Sequence, residues 1–188
     1  MVPPMKTAVA TLTGLVLACA VFGSAVSPAG AADVRHTGTD WSWTGPASWD
    51  AVYGTYGITI SSPKQDQYID WGFAATQCSK GSTKAKSAAS FFKAQRKSVT
   101  RRGAKFTKVG AAKKVGKAFR ETSRFKATLD GRTFSGELVL DYGFIDATNC
   151  NQSIRSLVAP KKNFDRSLVK LRKISRSIRY TGPGDPTP

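Results

Sequence analysis

From Tyr68 to Cys78 the chain reads YIDWGFAATQC, in which Ile69, Trp71 and Phe73 alternate with Asp70, Gly72 and Ala74. A period of two predicts a strand with one face in a core, and the preceding YGITIS carries a second strand signal. After Ser79 the period changes. Ala88, Phe91, Phe92, Gln95 and Val99 recur at the spacing of one helix face, while Lys93, Lys97 and Arg101 follow every four residues on the outer side. Gly103 is the natural stop, and Arg101 and Arg102 fall where the helix dipole favours cations.

The next pattern fixes its own register. In FRETSRFKATLDGRTFSGELVLDY, from Phe119 to Tyr142, Asp130-Gly131 is a two-residue hairpin signal between runs of strand formers. If Leu129 pairs with Arg132, then Arg124 opposes Glu137 and Arg120 opposes Asp141 on one face. Phe119, Phe125, Phe134, Leu138, Leu140 and Tyr142 share the other. FIDATNCNQSIRSLVAP reads as a further strand pair. Asn163 is placed to cap a last helix whose Phe164, Leu168, Leu171, Ile174 and Ile178 form an apolar stripe flanked by Arg166, Lys170, Arg172, Lys173, Arg176 and Arg179. The tail from 181 to 188 has nothing to bury and is expected to be mobile. In the opening segment, Trp41, Trp43, Trp49, Tyr53 and Tyr56 are expected to fill core positions on short strands and turns. Stacking on sugar rings or bases is the competing use of such side chains.

An early Trp49-Asp50 turn, two strands, a helix, a long meander and a terminal helix closing LRKISRSIR make an order of elements that resembles the PsbP-like and DcrB-like group of exported bacterial and plastid proteins. The resemblance spans most of residues 45–180. It implies an α+β fold with a central antiparallel sheet covered by helices, an α/β/α sandwich. It also implies an accessory or binding role, since the group has no shared catalytic motif to carry onto this chain.

The first 31 residues read as a signal peptide: Lys6, an apolar run, then the small-residue site SPAGA with the cut after Ala31. Acylation of Cys19 is the alternative, giving a lipid-anchored protein. Residues 32–180 then form one domain, with no later apolar run long enough for a membrane helix, so a secreted, bacterial, monomeric protein is expected. Export leaves Cys78 and Cys150 in an oxidising compartment, which predicts one disulfide and no free thiol.

Much catalytic chemistry is excluded by what the chain lacks. His36 is the sole histidine and is expected in a mobile arm, so triads needing a core His fail, and with both cysteines committed no metal site and no cofactor is expected. GAAKKVGKA departs from a phosphate-binding loop, with five residues between Gly110 and Gly116 and Ala118 where Ser or Thr is needed. The Asn151 sequon adjoins Cys150 and reads as a chance match. A carboxylate-dependent hydrolase remains as one alternative. Its candidates are Glu137 and Asp141, about 13 Å apart at strand rise, and the unplaced Asp66, Asp70 and Asp146.

Charge is segregated as well as large, at +17 overall. Residues 71–120 hold fourteen cations and no acid, residues 147–188 nine and two, and residues 33–70 only two against five acids. Solubility alone is the competing explanation. The functional reading is a non-catalytic accessory protein that associates with an anionic partner: a wall polymer, anionic lipid, nucleic acid or acidic protein. Its anion-binding residues would be Arg101, Arg102, Lys105, Lys108, Lys113, Lys114 and Lys117. The alternative is a secreted protein-partner module, an inhibitor or toxin component, using the Trp-rich segment.

Overall fold

A computed structural model describes residues 32–78, 83–144 and 149–182. In chain order the elements are β1 (Asp33–Thr37), β2 (Trp41–Pro46), β3 (Asp50–Gly54), β4 (Gly57–Ser61), β5 (Tyr68–Gln77), α1 (Lys84–Arg101), β6 (Lys105–Lys108), β7 (Lys113–Val115), β8 (Ala118–Leu129), β9 (Arg132–Phe144) and β10 (Asn149–Pro160). A short 3-10 turn (Lys161–Asn163), α2 (Phe164–Ser177) and β11 (Arg179–Tyr180) follow. All strand pairs are antiparallel. The main sheet runs β3-β4-β5-β10-β9-β8-β6, with β7 also on β8, and a second sheet runs β1-β2-β11.

Alternation in the long strands sorts their side chains into two cores. Ile69, Trp71 and Phe73 of β5 join Leu157 and Ala159 of β10, the three tryptophans of the opening segment and the stripe of α2. Phe134, Leu138, Leu140 and Tyr142 of β9 join Phe125, Cys150 and Val158 with Ala88, Phe91 and Phe92 of α1. The five stripe residues expected of the last helix are all buried, as the 3.6-residue period requires. Thr83 caps α1 by accepting from the Lys86 N–H at 3.3 Å, and Gly103 ends it at φ 88°.

The hairpin has the register read from its turn: Leu129 pairs with Arg132, Arg120 with Asp141 and Arg124 with Glu137. Asp130 and Gly131 have φ of 49° and 71°, the left-handed pair that a two-residue turn of matching twist demands. Cys78 and Cys150 are bonded, with Cα atoms 5.2 Å apart, tying the end of β5 to the start of β10.

Four expectations change. The segment after β9 is one strand, not a pair: Asn149–Pro160 lies between β5 and β9 and pairs with both along most of its length. His36 is not in a loose arm, because it sits in β1 with its ring stacked on Trp43 at 3.7 Å. Asn163 precedes α2 without a side-chain cap bond, since the 3-10 turn supplies the entry. Thr181, placed in the tail by composition, donates its N–H to Asp40 O at 2.8 Å, because β11 carries the chain alongside β2. Residues 183–188, residues 1–31 with Cys19, and Asp146 lie outside the described residues.

Candidate functional site

Lys105, Lys108, Lys113, Lys114 and Lys117 all lie along one edge of the main sheet. β6 and β7 run one after the other against the free side of β8, so together they act as a single interrupted edge strand. The pairs Lys105 with Lys126, Lys108 with Arg124 and Lys113 with Arg120 show the register slipping by one residue between the first and second and by one more before the third. Each slip is an extra residue that bends and twists the edge. Within the second slip Gly110 presses onto β8 so closely that a Cβ would stand 2.2 Å from Thr122 O. Only glycine lets the linker approach there. The result is a concavity of about 360 Å³ lined by Lys108, Lys113, Arg120 and Thr122 together with the linker.

Opposed residues project to the same face, so Lys105, Lys108 and Lys113 stand beside Lys126, Arg124 and Arg120. That face is the one covered by α2, since Arg124 bonds Asp165 at 3.2 Å and lies over the Phe164 ring at 5.6 Å. Arg124 thus links the edge, where Lys108 opposes it, to the start of α2. Lys114 opposes Phe119 and projects to the other face, and Lys117 sits in the turn between β7 and β8. Arg101 and Arg102 close α1 and are not brought into the row. Arg102 turns back to donate to Ser98 Oγ at 2.9 Å. None of the five edge lysines has an ion-pair partner among the described residues.

The acids, by contrast, are occupied. Arg120 holds Asp141 in a fork, Nε to Oδ1 at 2.6 Å and one terminal nitrogen to Oδ2 at 3.2 Å. Glu137 opposes Arg124 in the register but pairs instead with Arg172, at 2.9 and 2.5 Å, because it is buried beneath α2 where Arg172 reaches it. Glu121 is buried among the apolar side chains of the α1 face, held by Arg96 and the Ser123 hydroxyl. The hairpin register places it on that face, yet the sequence does not disclose its partner on α1. Asp66 and Asp70 accept from Ser62 and Thr59. Burial pushes Asp70 up to about 6, with the Thr59 bond and Arg102 pulling the other way.

Arg155 was missed by sequence reasoning. It projects from β10 over Trp71 at 5.0 Å, with its Nε buried and unbonded. Burial draws it below the usual arginine range, Asp141 opposes this and Arg120 adds to it. The tryptophans proposed as a contact surface are buried at 1%, 1% and 4% exposure, which commits them to the core. Their segment leaves Val52 and Tyr56 exposed instead, at 71% and 63%. Among the described residues no group of three His, Cys, Asp or Glu could hold a metal, and no helix is long and apolar enough to cross a membrane.

No protein-family profile and no curated protein matches the chain. Solved structures similar to it include cyanobacterial PsbP from Synechocystis, at 11% identity and TM-score 0.45 over 84% of this chain and 98% of that one. LpqN of Mycobacterium tuberculosis, involved in cell envelope biogenesis, is similar at 10% identity and TM-score 0.48, over 80% and 90% of the two chains. The Saccharomyces cerevisiae Ran-binding protein Mog1p follows at 10% and 0.42, over 79% and 94%. The PsbP group named from element order is thus among the structural neighbours, and the functional reading rests on side chains alone.

Proposed function

We propose that this is a secreted, non-catalytic accessory protein of α/β/α sandwich architecture that binds polyanions through its basic sheet edge. The two cores, one on each side of the main sheet with its own helix, support the sandwich. The observation that carries the binding role is the set of three like-charge pairs standing directly opposed on one face of one edge. Each such pair costs up to a few tenths of a kcal/mol in the free protein, least where Asp141 and Asp165 already hold Arg120 and Arg124. Lysines do protect an exposed edge from pairing with other strands, but that purpose is served as well by cations facing acids. An anion laid along the edge removes the repulsion. Hydrolysis by a carboxylate pair is disfavoured because Glu121, Glu137 and Asp141 each hold a cation already.

The test is retention of the secreted protein on anionic wall polymer, anionic vesicles and duplex DNA as salt rises from low to physiological. Affinity should fall steeply, by roughly 0.9 in log affinity per log salt for each duplex phosphate engaged. Reversing Lys113, Lys114 and Lys117 to Glu should flatten that slope and leave the fold intact, since all three are exposed. Absence of retention at low salt on every matrix defeats the reading.

A further inference from the structure

We propose that the α2-side face of the β6–β7–β8 edge is a track for a linear phosphodiester polymer, gripped at the concavity of Lys108, Lys113 and Arg120. This rests on the polyanion reading and narrows it to one face and one chemistry. Along β8 the cation pairs stand at positions 126, 124 and 120, all projecting to the same side. Two residues of antiparallel strand advance about 6.8 Å, a separation of the order of that between successive phosphates of a phosphodiester chain. The step left without a cation is Thr122, and it coincides with the concavity. There the glycine-dependent approach of the linker sinks the surface between the Lys108–Arg124 and Lys113–Arg120 pairs. A volume of about 360 Å³, that of roughly a dozen waters, accommodates a phosphate with part of the polyol or sugar on either side.

The cations at the grip differ in how they are held. Asp141 binds Arg120 through Nε and one terminal nitrogen and so fixes the guanidinium in place, leaving the second terminal nitrogen to the ligand. Lys108 and Lys113 carry no ion pair among the described residues and supply movable ammonium groups on the outer side. Arg155, behind Asp141, adds positive charge that its own surroundings leave incompletely bonded. Phosphodiester charge is permanent across the physiological range and recurs at every link, so it matches a row of fixed cations without depending on pH.

Neighbouring residues on opposite faces provide the test. Lys113 opposes Arg120 in the row, whereas Lys114 opposes Phe119 on the other side, so Lys113→Glu and Lys114→Glu change net charge equally. Binding of the secreted chain to a single-stranded oligothymidylate, poly(glycerol phosphate), polyglutamate and phosphatidylglycerol vesicles would be measured by anisotropy or co-sedimentation at several salt concentrations. Lys113→Glu should weaken phosphodiester binding roughly tenfold and reduce the salt slope, and Lys114→Glu, acting only through net charge from the opposite face, should cost roughly threefold. Lys113→Gln, which removes charge without reversing it, should fall between. Binding to either phosphodiester supports the track, and preference between the two assigns nucleic acid or wall polymer as the source. Equal losses for the two reversals overturn the track while leaving the polyanion reading standing. Equal affinity for polyglutamate, or binding to vesicles alone, overturns the phosphodiester class. No salt-sensitive binding to any probe removes both proposals.

Discussion

Asp70 holds a carboxyl partly inside the α1 face of β5, between Thr59 of β4 and Ser156 of β10, with Tyr68 on its own strand and Arg102 at the end of α1. Burial lifts it from 3.8 to about 6, and burial, followed by Asp70 itself, pushes Tyr68 up to about 12. The folded carboxyl thus keeps its proton after the unfolded one has lost it. Folding takes up a proton between those values, so stability falls as pH rises through that window. Asp70→Asn keeps an acceptor for the Thr59 hydroxyl and removes the buried charge. It should raise stability by about 3 kcal/mol at pH 8 and by almost nothing at about pH 3, as chemical denaturation at the two pH values would show. No pattern in the sequence marks this residue, because the alternation of β5 gives its face but not its desolvation. His36 was misread for a similar reason: a polar residue near an expected cleavage site gives no hint that a buried indole lies directly opposite it across a hairpin.

At the level of elements, periodicity and turn chemistry were sufficient wherever a pattern ran uninterrupted. The β8–β9 hairpin follows from Asp130-Gly131, and its Arg120–Asp141 pair yields a double-mutant test. Arg120→Asp should destabilise, and adding Asp141→Arg should restore part of the loss, with a coupling of about 0.5–1 kcal/mol given the partial exposure. Zero coupling in thermal or denaturant unfolding contradicts the register. The α2 stripe was equally legible. β10 was not, because a strand inside a sheet is buried on both faces toward one end, where Ser156, Leu157, Val158 and Ala159 are consecutively covered and the alternation vanishes. β6 and β7 were invisible for another reason: their strand character comes from pairing with β8, and bulges break whatever short pattern they have. The charge of that stretch was plain in the sequence. Its division between two faces, with Lys113 on one and Lys114 on the other, required the register.

For the molecule as a whole, the cysteine count, read with the expectation of export, led to the Cys78–Cys150 bond, which closes a loop of 72 residues. Replacing both cysteines with alanine should cost up to about 4 kcal/mol of unfolding free energy in the chain-entropy account, read from the shift in denaturant midpoint. Alanine is the better probe because Cys150 is fully buried and a serine there would also bury a hydroxyl. The second sheet makes a different kind of closure. β11, at the far end of the chain, pairs with β2, and Tyr180 packs its ring on Trp41 at 4.9 Å and on Phe73 at 4.8 Å. The core that begins at Trp41 is thus completed by Tyr180 of β11, about 140 residues later. A chain emerging from a ribosome or a translocation channel carries these tryptophans without that cover until Tyr180 has passed through. Whatever holds such an intermediate in solution must act on the N-terminal half, and the fold cannot be secured by stages from one end to the other.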